Sequence, residues 1–319
     1  AILSEAGYDT RGFVSHIMLS PKHGFAKGFD VYDDSVLDVG HPHKVSTAEL
    51  LTDKVLANLP SGETPFFLWV HYFDPHFDYL PHEPWSNWDS TDLHRYDGEI
   101  AFTDRQIGRL LDGLGNAGLM ERTLTVVTAD HGEAFGERGA RHHFSTFEEV
   151  VRVPLILHGP TIASHASTRP AQQIDLLPTI LGLFRLEPPR DLPGHDLLTD
   201  DSAPTDVFIE RYRPSPFIQR ALIRGGEKLI TVEVTPDAQE APERIENAYK
   251  RTKIRPGVFL YDLNADPGET TNLFSADDPE AVELLTELER YSAGSAKGVG
   301  DLEIDEETRN RLEALGYLN

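Results

Sequence analysis

Three short stretches concentrate the residues that could do chemistry. Thr128-Ala129-Asp130-His131-Gly132-Glu133 sets a carboxylate and an imidazole side by side, directly behind an apolar run. Oxygen and nitrogen donors so placed can hold one divalent cation, and a glycine permits the tight turn that aims them together. The same six residues also suit an N-cap Asp beside a surface His. Downstream, Arg141-His142-His143-Phe144 precedes Phe147 to Pro154, a helical turn that leads into another apolar run and can return a histidine over the same sheet edge. A histidine there can protonate a leaving oxygen or stabilise charge developing on it. A solvent-exposed loop pair is the plain alternative. Upstream, His71 to Tyr79 (HYFDPHFDY) leaves a third apolar run, and Pro75 restricts the turn that presents His76. Asp74 and His76 also read as ordinary turn formers.

The apolar runs are the elements that must position these groups. Phe66 to Phe73, Thr123 to Ala129 and Val153 to His158 are continuous rather than alternating, which predicts strands of a sheet covered on both faces. Between the first two, Ile100, Ile107, Leu110, Leu111 and Leu114 recur at helical spacing and end in GLGNAGL. Strand, helix, strand is the grammar of a parallel α/β sheet, whose carboxyl edge is where ligands bind. Ala48, Leu51, Val55, Leu56 and Leu59 mark an earlier amphipathic helix, and Asp175 is expected to cap a later one through Leu183, with Pro178 in its first turn. After the Pro-rich EPPRDLPGHDLL, the texture changes near residue 200. Alternating segments with a Gly225-Gly226 turn, a strand over Phe259 to Leu263, and helices over Ala281 to Tyr291 and Glu306 to Leu315 predict a smaller α+β subdomain. The expected division is 1–200 and 201–319.

Composition bounds the function. The 319 residues are 39% hydrophobic and 26% charged, which is globular composition. Fifty-three acidic against 29 basic residues give a net charge of −24, which would repel a phosphate backbone and argues against nucleic-acid binding. No apolar run approaches the roughly 18 residues a membrane span needs, and no signal peptide is evident. With no cysteine there is no disulfide framework. The start, AILSEAGY, reads as a helix met in mid-domain. Trp85, Trp88, Arg95 and Arg138 are candidates for a pocket lining, and equally for packing and solvation.

Five ordered blocks carry a resemblance: WVHYFDPH, TADHGEAFGERG, FEEVVRVPLILHGP, QIDLLPTIL and FLYDLNADPGETTNL. In order and approximate spacing they resemble the bacterial sulfatases of the alkaline phosphatase superfamily, over nearly the whole chain. The resemblance implies an α/β/α sandwich with a mostly parallel sheet, followed by a C-terminal subdomain with a small antiparallel sheet. It implies hydrolysis of a sulfate ester at one divalent metal, usually calcium, in a periplasmic or extracellular protein acting on a sulfated small molecule or glycan. Carried over by position, Asp130 and His131 resemble the second pair of metal ligands. His76 resembles the histidine on the sulfate group and His142 the one beside the leaving oxygen, with His143 taking that place if the loop is shifted by one.

Two departures qualify it. Many sulfatases have Asn where His131 stands, and the Asp-His form also fits phosphodiesterases and phosphonate hydrolases, leaving manganese or zinc open. In the family the first metal-binding Asp residues and the nucleophile, a Cys or Ser followed by X-Pro-X-Arg and converted to formylglycine, lie before the region where this chain begins. Ser20-Pro21 and Ser215-Pro216 are followed by Lys-His and Phe-Ile and lack the pattern. On this resemblance the 319 residues alone are expected to be inactive. A phosphate diester or phosphonate substrate, or a non-catalytic binding protein on the same scaffold, are the alternatives.

Overall fold

The computed structural model describes residues 2–39, 45–85, 91–164, 166–199, 206–211 and 216–295. Trp88, Ser215 and the helix expected over Glu306 to Leu315 lie outside them. In chain order the elements are α1 (Ile2–Glu5), β1 (Asp9–Val14), β2 (Val31–Asp33), α2 (Ala48–Ala57), β3 (Phe66–His71), α3 (Asp92–Asn116), β4 (Thr125–Thr128), α4 (Glu148–Val151), β5 (Leu155–His158), α5 (Leu176–Leu183), β6 (Val207–Arg211), β7 (Phe217–Arg224), β8 (Glu227–Val234), α6 (Pro236–Gln239), α7 (Pro242–Thr252), β9 (Gly257–Asp262) and α8 (Pro279–Ser295). The described residues fall into two compact units: those up to Thr125 with His158–Ile162, and Val126–Leu157 with those from Ala163 to Ser295.

In the first unit β1 lies between β2 and β3, and both pairings are parallel, in the register Arg11↔Val31 and Thr10↔Phe67. Parallel neighbours need a crossover, and α2 supplies it between β1 and β3. Leu51 and Val55 of α2 and Leu110 and Leu114 of α3 close over Phe13 of β1, as their spacing predicts. Full burial of such a side chain contributes about 1.5–3 kcal/mol. The Thr91 hydroxyl accepts the His94 N–H at 3.3 Å and so starts α3. At the carboxyl edge, Ser15 Oγ donates to His71 O and accepts Phe73 N–H, each at 2.8 Å, tying the end of β1 to the chain leaving β3.

In the second unit β6, β7, β8 and β9 form an antiparallel sheet in that order. Gly225 and Gly226, at φ 60° and 93°, make the β7–β8 hairpin turn that the sequence predicts. Successive side chains point to opposite faces. Ala221, Ile230 and Tyr261 pack with Ala248 of α7 and Ile254, whereas their neighbours Leu222, Leu229 and Leu260 pack with Ala281, Leu284 and Leu288 of α8. The alternation expected here signals a half-solvated sheet, yet both faces are covered, because α7 and α8 each lay an apolar stripe on one.

β4 and β5 pair as a two-stranded sheet. Both are shorter than their apolar runs and neither is fully covered: Ile156 of β5 is 56% exposed. The expected cap of α5 is also revised. Asp175 makes no side-chain bond to that helix; its carboxylate accepts the N–H groups of Gln172 at 2.8 Å and His195 at 2.9 Å, closing the 3-10 turn before α5 and fastening the following loop.

Candidate active site

The chain leaving β4 turns sharply through Asp130 and His131. Gln173 Nε2 fixes the strand end by donating to Ala129 O at 2.7 Å and Asp130 O at 3.0 Å. Gly132 N–H donates to Val150 O of α4 at 2.6 Å, and a Cβ on Gly132 would fall 2.3 Å from Glu149 O. Only glycine allows the turn to lie this close to α4. The Asp130 side chain is 75% exposed, and its Oδ1 accepts the His131 N–H at 2.9 Å. His131 Nδ1 lies 2.9 Å from Gly132 O; with Nδ1–H as the donor, Nε2 keeps its lone pair, 3.7 Å from Asp130 Oδ2. An accessible carboxylate oxygen beside an imidazole nitrogen with a free lone pair is a donor set that fits a divalent cation.

The next residues fold back on this turn. His142 pairs with Ala134 through both backbone groups, at 2.9 and 3.3 Å, and Phe135 bridges Arg141. The return places the His143 ring 4.3 Å from the His131 ring. Glu133, its side chain 6% exposed, stands between the two histidines, with Oε1 3.4 Å from His142 Nδ1 and Oε2 3.8 Å from His143 Nδ1. Burial would raise the Glu133 carboxyl, but the imidazoles outweigh it and hold it at about 2. Burial lowers His143 in spite of that carboxylate. A neutral imidazole can still present N–H to a carboxylate, so the two shifts agree. Asp130, His131, His142 and His143 are thus brought together. Sequence reasoning gave Glu133 no role, although its place in the hexapeptide pointed to it.

His76 belongs to the first unit, in the loop after β3. Its backbone N–H donates to Glu99 Oε2 at 3.2 Å, its Nδ1 lies 2.6 Å from Phe77 O, and its ring stacks 4.3 Å from Phe73. The other face of the loop was missed in the sequence: Phe73 also stacks on His16, at 5.0 Å, and His16 leaves the carboxyl end of β1. A histidine directly behind a strand was the available signal, hidden because β1 itself was not recognised.

Asp74, His82 and Glu99 offer ligand atoms within 4.8 Å of one another, a second group with the chemistry to hold a cation. Their hydrogen bonds also organise the loop. Asp74 accepts Ser46 Oγ at 2.6 Å and both the N–H and the hydroxyl of Thr47, the residue before α2. Glu99 Oε1 accepts Leu80 N–H at 2.9 Å and lies 3.8 Å from His82 Nε2. Burial raises the Glu99 carboxyl. Of the pocket candidates, Trp85 meets Phe102 edge-on at 6.5 Å and Arg95 is exposed. Arg138 is committed internally, to Gly268 O at 2.6 Å, to Glu149, and to the Phe147 ring 4.0 Å below it.

The family model described as Sulfatase matches residues 1–186. The choline-sulfatase of Rhizobium meliloti (strain 1021) is 29% identical over 195 residues, 58% of this chain and 33% of that protein. The Ulvan-active sulfatase of Formosa agariphila is 26% identical over 325 residues, 91% of this chain and 60% of that protein. The chain therefore spans about a third to three-fifths of the length of the curated relatives it matches. Among solved structures, BT4656 in complex with D-glucosamine-2-N,6-O-disulfate superposes with a TM-score of 0.69 at 18% identity, over 95% of this chain and 83% of that one. The phosphonate monoester hydrolase of Silicibacter pomeroyi gives 0.68 at 18% identity, over 96% and 81%. These likenesses show the fold, the alkaline phosphatase-like α/β/α sandwich with a C-terminal antiparallel sheet. With its model matched over more than half of the 319 residues, the chain belongs to the sulfatase family of the alkaline phosphatase superfamily.

Proposed function

We propose that the protein containing this chain hydrolyses sulfate esters, with residues 1–200 belonging to its catalytic domain and 201–319 forming the C-terminal subdomain. The observation that carries the reading is the convergence of Asp130, His131, Glu133, His142 and His143 behind β4 in a chain of this family. Asp130 and His131 would hold a divalent cation, calcium by family likeness with manganese or zinc open, and that ion would supply charge to neutralise sulfate oxygens. His142 would give the leaving alcohol its proton, oriented by Glu133. His76 would hydrogen-bond the transferred group, and His143 would bind substrate or take the place of His142. The formylglycine nucleophile and the other metal ligands would come from residues outside these 319. A sulfated small molecule or sugar is the expected substrate class, in keeping with the disulfated glucosamine bound by BT4656 and the ulvan named for the Formosa agariphila enzyme.

A second reading keeps the site and exchanges sulfate for a phosphate diester or phosphonate. It is favoured by His131 in the second ligand position and by the fold likeness to the phosphonate monoester hydrolase. The test is to assay the full-length protein with 4-nitrophenyl sulfate, bis(4-nitrophenyl) phosphate and 4-nitrophenyl phenylphosphonate, with its metal content measured alongside. Sulfate release that is lost in Asp130→Ala and His131→Ala together with the cation supports the first reading. Dominant phosphonate or diester turnover replaces it with the second, and a protein that binds no cation and turns over nothing is a binding protein on the scaffold.

A further inference from the structure

The DPGET block, Asp266 to Thr270, is a sequence motif that the proposed chemistry leaves without a task. Glu269 in it is buried, as is the Lys228 it meets, while Glu148 is half-buried. Lys228 Nζ of β8, at 0% side-chain exposure, lies 2.8 Å from Glu148 Oε1 and 2.9 Å from Glu269 Oε1. Glu269 Oε2 accepts the Glu148 backbone N–H at 2.7 Å. One cation thus serves two carboxylates, and Glu269 grips both the side chain's partner and the backbone of the first residue of α4.

α4 is the element on which the Asp130–His131 turn rests. Gly132 N–H donates to Val150 O, and the Glu149 carbonyl occupies the space a Cβ on Gly132 would need. Two further tethers run from the same region to the same loop: Arg138, between Glu133 and His142, donates to Gly268 O and pairs with Glu149, and Gln219 Nε2 of β7 donates to Phe144 O at 3.0 Å. The bonds from Lys228, Glu269, Gly268 and Gln219 thus end on Arg138, Phe144 and Glu148, within a segment that brackets His142 and His143. A buried ion network is poor evidence for stability, but removing one partner leaves an uncompensated charge, which disfavours a slipped arrangement.

We infer that Glu269, Lys228 and Glu148 are positioning residues for the reaction: the antiparallel sheet sets the height of α4, and α4 sets the turn and the histidine loop. The inference rests on reading residues 130–143 as the active site, and it assigns Glu269 of the DPGET block a part in turnover through its grip on Glu148.

The test uses the full-length protein carrying Glu269→Gln or Lys228→Met, with Arg220→Gln as a control on the same sheet. Arg220 pairs with Glu210 and Glu233 and, among the described residues, has no ion pair with the loop. With selectively labelled histidine, the ring resonances of His131 and His143 are expected to shift in the two network variants and to stay in place in the control. Since displacements near 1 Å can cost about 100-fold in rate, kcat is expected to fall about 10- to 100-fold, measured well below each variant's Tm, while KM changes little. Arg220→Gln lowers Tm and keeps kcat within about twofold. Unchanged histidine resonances, or a lowered Tm with kcat intact, would overturn the inference and leave the network a purely structural one. Where Lys228→Met fails to fold, Glu269→Gln decides alone. If the unmodified protein turns over no ester, the functional reading fails, and the resonances alone then decide whether the network positions the loop.

Discussion

Gly132→Ala is the smallest change that reaches the site without touching a chemical group. The added methyl would fall 2.3 Å from Glu149 O, 3.2 Å from Glu149 C and 3.4 Å from Val150 Cα, all backbone atoms that no rotamer change can clear. A comfortable separation is about 3.5 Å, so the turn and α4 must part by about 1 Å. That motion breaks the 2.6 Å bond from Gly132 N–H to Val150 O, a loss of about 0.5–1.5 kcal/mol. Overpacking adds about 1–3 kcal/mol. The sum, about 1.5–4.5 kcal/mol, corresponds at about 2–3 °C per kcal/mol to a Tm lower by about 3–14 °C. Because the displaced turn carries Asp130 and His131, kcat/KM is expected to fall about 100-fold as well. Gly108→Ala is the internal control: it lies within α3 with nothing within 4 Å of the new Cβ, and it is expected to stabilise by about 0.5–1 kcal/mol. Differential scanning calorimetry and steady-state kinetics on both variants decide. Gly132→Ala with wild-type Tm and kcat/KM would refute the packing of the turn on α4, and equal losses in both variants would show that the effect is not local.

Two further outcomes follow from the hydrogen bonds. Glu99→Ala removes the acceptor of the His76 and Leu80 N–H groups and is expected to destabilise by about 1–3 kcal/mol and to reduce kcat/KM, with Glu99→Gln milder because burial already raises that carboxyl; urea midpoints and kinetics of the pair check the order. Asp206 accepts two bonds from Arg224, at 3.0 and 2.6 Å, and these lower its carboxyl below the ordinary 3.8. A depressed folded value contributes stability above the unfolded one that is lost as pH falls through the folded one, so Asp206→Asn is expected to flatten the decline of the urea midpoint below about pH 4. With the Arg224 side chain 35% exposed, the loss at neutral pH is about 1 kcal/mol or less. A decline as steep in the variant as in the wild type would remove Asp206 from the acid limb.

What the sequence made legible depended on distance along the chain. β3 and β4 were readable because continuous apolar runs announce strands locally, and Asp130 and His131 were readable because they sit directly behind one. β1 was not: Arg11 and Gly12 interrupt its pattern, and the Arg11–Asp9 ion pair at 2.8 Å that accommodates the charge appears only once the strand is formed. Glu133 was quoted without a role because its partners return only when the chain folds back between Ala134 and His142.

Lys228 is the extreme case. Nothing in EKLITVEV marks it out, yet it is fully buried, because carboxylates 80 residues before it and 41 after it meet its ammonium. No window of local periodicity contains all three. The same geometry explains why Arg138, a candidate for the pocket wall, turns inward: Gly268 O, Glu149 and Phe147 claim its guanidinium. Asp130 and His131 sit at a strand end and so leave a local trace, whereas the residues that hold that end in register come from distant parts of the chain. The charged groups hardest to read from this sequence are therefore the ones expected to control how well the readable ones work.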